Sequence, residues 1–355
     1  MKKQLKTPPI IERSPAAFQL EALEGLESLA LSELRTRFAK GLRVINADQL
    51  EFTLDGDASQ LARLKIAQTV YSIQHYPIPR PKALLGDAHW RRFIAQIEWV
   101  IKFNPPDTFK TFTLAAAGAE SSIMQRIRTE IATHIGLEEA DKGDLWIRLV
   151  PSAGGEGWDT RVRVFPRPLA TRYWRVCSYE ASLNATAAHA MARLTQPMPD
   201  DVYVNLGSGS GSLLIERAAA GKFAHLIGID HHPQMLECSI KNIEASGQKQ
   251  ITLIRADIHH TPLASACADA ITADLPFGQN VGSHEDNIAL YPHILREAAR
   301  IAKPEARFVA ITHEIRLMDQ LLRQNPDWSL EQELRITLRG LHPRIYVLVR
   351  TNHTS

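Results

Sequence analysis

Residues 274–278 read Asp-Leu-Pro-Phe-Gly and close a predicted strand that runs from Ala268 to Ala273. An acid, a proline-stiffened turn and an aromatic ring in that place suit the handling of an aromatic amine. The lone pair of such an amine is delocalised into its ring, which makes it a poor nucleophile. Asp274 and the carbonyl of Leu275, held by Pro276, can accept its N–H bonds and aim the lone pair, while Phe277 stacks on the base. No strong base is required, because the proton can leave after the attack. A Pro-Gly turn with Phe277 in the core is the plainer alternative.

About seventy residues earlier, Asn205-Leu-Gly207-Ser208-Gly209-Ser-Gly211 follows another apolar strand. Glycine permits positive φ and close backbone approach, so a strand, this loop and a helix would present backbone amides to a cofactor. A dinucleotide fingerprint needs G-x-G-x-x-G, whereas Ser212 stands in the last place here. Alternate glycines suit S-adenosylmethionine, which has no pyrophosphate to accommodate, although a plain packing turn is also compatible. Asp230, next to His231 and nineteen residues after Gly211, ends the next strand and can accept both hydroxyls of a ribose; capping the helix near Pro233 is its alternative role. Asp257 ends the strand after that. It can accept from an adenine amino group while Ile258 packs on the ring, or it is a surface acid. Three consecutive strand ends thus carry a glycine loop, an acid and an acid.

These groups need a parallel sheet to position them. From Ser182 onward apolar strands alternate with helices, the pattern of a sheet covered on both faces. Strands are expected at 202–206, 225–230, 251–255, 268–273 and 307–312, with helices at 210–220, 233–246, 287–303 and 315–325. Segments 330–338 and 344–350 form a closing antiparallel hairpin. Upstream, 17–80 predicts a ferredoxin-like α+β module, with helices over 25–38 and 59–70 and a strand near 71–76. Pro77-Ile-Pro-Arg-Pro81 makes a joint. A second α+β module follows, with helices over 89–103 and 121–135 and strands over 108–115, 144–150 and 159–165. The expected domains are 1–80, 81–176 and 177–355.

At 355 residues the chain has room for two or three cores. It shows no apolar run of bilayer length and no signal-peptide stretch, so a cytoplasmic protein with no membrane contact is expected. Cys177, Cys238 and Cys267 share no short spacing, which argues against a disulfide framework or a zinc site. The pairs His231-His232 and His259-His260 are read as surface side chains, and no metal is expected. Net charge is only +2, yet Arg161, Arg163, Arg167, Arg172 and Arg175 occur between Thr160 and Val176 without an acid. Such a stripe can neutralise phosphates, or it is a solvated linker.

Taken together, Asn205–Ser212, Asp230, Asp257 and Asp274–Gly278 resemble the motifs of class I S-adenosylmethionine-dependent methyltransferases. The form Asp-Leu-Pro-Phe-Gly is similar to that of enzymes acting on guanine N2 in tRNA. Arg167–Arg175 with Ala181–Ala190 resembles the join between a THUMP domain and its catalytic domain, and Leu23–Leu34 resembles the ferredoxin-like start of the same family. The resemblance implies that 81–176 is a THUMP domain and that 177–355 is a Rossmann-like catalytic domain using S-adenosylmethionine. It further implies N2-methylation of a tRNA acceptor-stem guanosine near position 6, by a monomer without a helper subunit. Ribosomal RNA as substrate, or an RNA-binding homologue with weakened catalysis, are its alternatives. The family carries an acid where Asn205 stands and Pro, Cys and Thr where Leu206, Ser208 and Ser212 stand.

Overall fold

The computed structural model describes residues 17–118, 120–179, 182–277 and 283–351. By contacts these divide into two units: the residues up to Ala22 with Leu31–Leu169, and Leu23–Ala30 with Ala170 onward.

The first unit contains β1 (Ala17–Ala22), most of α1 (Glu27–Arg37), β2 (Leu42–Asn46), β3 (Glu51–Leu54) and β4 (Ala67–Tyr76). It continues with α2 (Asp87–Phe103), β5 (Thr111–Ala116), α3 (Ser122–Ile135), β6 (Glu138–Glu139), β7 (Leu145–Pro151) and β8 (Trp158–Arg163). The helix expected over 59–70 is instead a short 3₁₀ turn at Ala58–Arg63 followed by a ten-residue strand. Two causes act there. The Glu33 carboxylate accepts from the amides of Lys65 (2.8 Å) and Ile66 (2.9 Å), which ends the turn. The run beyond it, Thr69-Val-Tyr-Ser-Ile, is β-branched and aromatic and favours a strand.

The eight strands form one sheet in the order β2-β3-β1-β4-β8-β7-β5-β6. Pairing therefore continues across the joint expected at residues 77–81: β4 runs antiparallel to β8 from Tyr71↔Arg163 to Tyr76↔Trp158. Gln96 of α2 fastens this seam, its Nε2 donating to the Ser72 carbonyl at 2.9 Å and its Oε1 accepting from the Thr160 hydroxyl at 2.6 Å.

The second unit holds α4 (Ala185–Leu194), β9 (Val202–Leu206), α5 (Ser212–Ala220), β10 (His225–Asp230), α6 (Pro233–Ser246) and β11 (Ile251–Arg255). Then come β12 (Ala268–Asp274), α7 (His284–Ile301), β13 (Ala302–Thr312), α8 (Ile315–Gln324), β14 (Trp328–Arg335) and β15 (Arg344–Arg350). Sheet order is β11-β10-β9-β12-β13-β15-β14, with β15 antiparallel to both neighbours, as the sequence predicts. The order reverses direction between β9 and β12. Ligands of open α/β sheets bind at such a reversal, outside the carboxyl ends of the strands.

This unit begins at Ala170, ahead of the expected residue 177, because Arg172 and Trp174 are buried in it. Arg172 Nε donates to Glu216 Oε1 of α5 at 2.6 Å, and His189 Nδ1 of α4 lies 2.9 Å from Glu216 Oε2. Burial alone would raise the Glu216 carboxyl, but the His189 hydrogen bond and the Arg172 charge hold it below the usual carboxylate range. Cys177 and Cys238 form a disulfide, contrary to the sequence expectation. Their separation of 61 residues carries no local signal. They meet because Asn242 of α6 holds the amides of Val176 (3.0 Å) and Cys177 (2.9 Å). Removing Arg172 leaves the Glu216 carboxylate buried and half-compensated. Arg172→Ala is expected to cost about 3–5 kcal/mol in urea unfolding; an unchanged midpoint would contradict the buried pairing.

Candidate functional site

The loop after β9 is built on backbone amides that are already spoken for. Ser208 N donates to Ile229 O (2.8 Å) and Gly211 N to Ser208 O (2.8 Å), while Gly209 N donates to Asp230 Oδ2 (2.8 Å). Gly207, Gly209 and Gly211 have φ of 67°, 52° and 77°, the left-handed region that other residues adopt only under strain. A Cβ on Gly207 would meet nothing within 4 Å, so that side of the loop is open. The expectation that the loop presents its amides to a cofactor is corrected for these three: they shape the loop, and its side chains and open face are left for a ligand. Two buried polar atoms there have no hydrogen-bond partner among the described residues, Asn205 Oδ1 and Ser208 Oγ. The Asn205 amide group donates to Thr272 O of β12 at 3.1 Å, which bridges the sheet reversal.

Asp230 is buried, and its other oxygen accepts from His232 N at 2.9 Å. Each oxygen keeps a further lone pair. The cap expected of it is not made, since α6 starts from His232 without a side-chain cap; Asp230 instead closes the turn ahead of that helix. His231 is exposed beside it, with Nδ1 4.0 Å from Oδ1. Asp257 is exposed at the end of β11, and the backbone amide and imidazole of His259 hold its carboxyl below the usual range. Ile258 packs on the edge of the core.

Across the reversal stands Asp274, paired in register with Ile311. It keeps some exposed surface, yet no hydrogen-bond or charged partner reaches its carboxylate among the described residues. Burial around the carboxyl pushes it up to about 7. Leu275 N donates to Ile311 O at 3.0 Å. Pro276 O accepts from the Tyr291 hydroxyl at 2.6 Å and from Asn287 Nδ2 at 3.1 Å. The turn is thus braced through the Pro276 carbonyl, while no hydrogen bond among the described residues reaches that of Leu275. Phe277 is half-buried, and Gly278 lies outside the described residues.

Sequence reasoning missed Tyr291 and Asn287, which only the packing of α7 brings near the turn. It also missed Tyr179. An added Cβ at Gly209 would come within 2.2 Å of the Tyr179 hydroxyl. Burial, with Asp274 and Asp230 nearby, pushes that phenol up to about 12. It remains a protonated hydrogen-bond donor over the loop.

The arginine stripe does not stay together. Arg172 is buried against Glu216, and Arg175 donates to Leu183 O (2.7 Å) and Ser212 Oγ (2.9 Å). Arg163 is spent on the carbonyls of Asp144 (2.9 Å), Phe165 (3.0 Å) and Pro166 (2.6 Å). Phosphate contact by Arg172 is therefore corrected to a packing role. Arg161 is half-buried and Arg167 is exposed.

The three carboxylates at Asp230, Asp257 and Asp274 could accept hydroxyl and amine hydrogens of a nucleoside, and Asp274, unpaired among the described residues, could accommodate a cationic centre. Among the described residues, no helix is long and apolar enough to cross a membrane.

Residues 172–344 match the UPF0020 family, described as an RMKL-like methyltransferase domain. A mouse protein named tRNA (guanine(6)-N(2))-methyltransferase THUMP3 is 31% identical over 184 residues, 48% of this chain and 36% of that protein. A bovine protein named U6 snRNA (guanine-N(2))-methyltransferase THUMPD2 is 28% identical over 154 residues, 43% of this chain and 29% of its own length. The chain thus spans about a third of these relatives. The crystal structure of TrmN from Thermus thermophilus has the same fold, with a TM-score of 0.73 at 20% identity, covering 94% of this chain and 99% of that one. Methyltransferase domains of this class take S-adenosylmethionine as cofactor, and the acids and orphaned polar atoms above fit it.

A carboxyl raised on folding costs stability above its ordinary value of 3.8. The loss grows as pH rises to about 7 and is complete beyond it, of order 4 kcal/mol. Asp274→Asn is therefore expected to raise the melting temperature at pH 8 and leave it nearly unchanged at pH 4. Equal shifts at both pH values would contradict the desolvated carboxyl.

Proposed function

We propose, from the match of residues 172–344 to an RMKL-like methyltransferase domain, that this protein transfers the methyl group of S-adenosylmethionine to the exocyclic N2 of a guanosine in tRNA. The acceptor-stem region around position 6 is the proposed target. Asp274 carries this reading: a desolvated carboxylate without a partner among the described residues, one residue from a carbonyl in a braced turn.

When bound, S-adenosylmethionine supplies an electrophilic methyl on a cationic sulfur. Asp230 holds the ribose hydroxyls, Asp257 with Ile258 and His231 the adenine, and Asn205, Gly207, Ser208, Gly209 and Gly211 the amino-acid end. Asp274 and the Leu275 carbonyl accept the two N–H bonds of the guanine amine and aim its lone pair, so the enzyme contributes chiefly orientation. As the N–C bond forms and the C–S bond breaks, positive charge moves to the nitrogen. Asp274 or water then takes the proton.

The guanine must leave its pair and stack to be reached, and Phe277 supplies a ring for that. The first unit, read as ferredoxin-like and THUMP modules meeting near residue 80 and ending at Leu169, is proposed to grip the RNA by shape. Arg167, with Arg161, is proposed to meet phosphate. The protein is read as a cytoplasmic monomer that needs no helper subunit. The similarity to the bovine U6 snRNA enzyme supports a second reading, the same chemistry on another RNA, ribosomal RNA included.

Mass spectrometry of nucleosides from tRNA incubated with the protein and labelled donor is expected to yield N2-methylguanosine. Asp274→Ala should lower the rate at least about 100-fold. Because the carboxyl must be ionised to accept protons, the rate at low donor should rise with pH and level off above about 7. Label on a different base, or an active Asp274→Ala, would sink the reading. Binding of tRNA without donor binding would point instead to an RNA-binding protein. Arg167→Glu is expected to weaken RNA binding and flatten its log–log salt slope by about one; an unchanged slope would remove Arg167 from the interface.

A further inference from the structure

The Phe277 ring lies beside the imidazole of His313, with ring centroids 6.2 Å apart and planes tilted by 33°. Both residues are half-buried, and they leave the carboxyl ends of adjacent parallel strands, where Asp274 pairs with Ile311. At that spacing the rings form a loose, tilted pair at the wide end of ordinary aromatic pairs. A planar base between them needs about 7 Å, twice the spacing of stacked bases. The walls would have to part by roughly 1 Å to admit it, within the range of ordinary aromatic pairs.

One side chain sets this gap. The Tyr291 hydroxyl donates to Pro276 O at 2.6 Å and lies 2.6 Å from Thr312 Oγ1. Pro276 immediately precedes Phe277, and Thr312 immediately precedes His313. Thr312 Oγ1 also accepts from Glu314 N at 2.9 Å, and Ile315 N donates to His313 O at 2.9 Å. Asn287 gives a second tie, donating to Pro276 O at 3.1 Å. Both ring-bearing turns are therefore fixed from behind by the same buried tyrosine.

We propose that Phe277 and His313 are the two walls of a slot that takes the extruded purine, with Asp274 at its foot and Tyr291 as the positioning residue that sets its width. That the purine is guanine rests on the function proposed above; the slot itself does not. His313 is then a base-contacting residue, not a surface histidine. Its aromatic area matters more than its charge, because stacking draws on the ring face.

A single-stranded oligonucleotide carrying 2-aminopurine tests this, since stacking quenches that base's fluorescence. The wild-type protein should quench it severalfold on binding. His313→Ala and Phe277→Ala should each lose most of the quench, with affinity for S-adenosylhomocysteine within about twofold of wild type as the folding control. His313→Phe should restore it. Tyr291→Phe should raise KM for tRNA more than it lowers kcat. An unquenched probe on the wild-type protein, or full quenching by His313→Ala, would overturn the slot. Nucleoside mass spectrometry on the same preparations separates the two ideas. Quenching without N2-methylguanosine from tRNA would keep the slot and sink the guanine-N2 reading.

Discussion

The account depends on one constraint: a carboxylate is held at the end of β12 with its solvation removed and no partner among the described residues. Such a group is costly in the ligand-free protein, and burial pushes it up to about 7. A fold keeps a group of this kind where a ligand repays it. In the proposed reaction a cationic donor would supply the missing charge partner, and an amine with protons to give would supply the missing hydrogen bonds. Proteins hold such destabilising groups at functional sites and compensate elsewhere. In the second unit the compensation includes the buried Arg172–Glu216–His189 cluster and the disulfide to α6.

The glycine loop is organised differently from a phosphate cradle. A cradle directs its amides at the ligand, but here Ser208, Gly209 and Gly211 direct theirs at Ile229, Asp230 and the loop itself. What is left over is open space beside Gly207 and two buried oxygens without a hydrogen-bond partner among the described residues. That suits a donor without a pyrophosphate. The hydrogen bond from the Gly209 amide also ties the loop to Asp230. Asn205, in place of the acid the family carries, bridges β9 to β12 through Thr272 and keeps its oxygen free without adding a third buried negative charge to the pair Asp230 and Asp274.

Much of the second unit was legible because its signals are local. The strands 202–206, 225–230 and 251–255 are short apolar runs, each stopped by a loop glycine or an acid, and they form with those bounds. So does α6, which starts at Pro233 and ends at Gly247 in the left-handed conformation. The acids at the strand ends follow from the same punctuation. Signals that depend on distant partners were not legible. Residues 59–70 have helical spacing, but Glu33 and the neighbouring strands turn the second half into β4. Arginines that are adjacent in sequence point to Glu216, to main-chain carbonyls or to solvent, and spacing alone does not separate these fates. Tyr179, Tyr291, Asn287 and His313 belong to no motif; α7 and the end of β13 deliver the last three, and the irregular segment ahead of α4 delivers Tyr179.

The most direct measurement is a crystal structure of the protein soaked with its methyl donor. The account predicts the sulfur between the open face of Gly207 and the Asp274 carboxylate, with the ribose on Asp230 and the methyl directed toward the Leu275 carbonyl. A donor lodged away from Asp274, or one whose methyl points away from that turn, would contradict it.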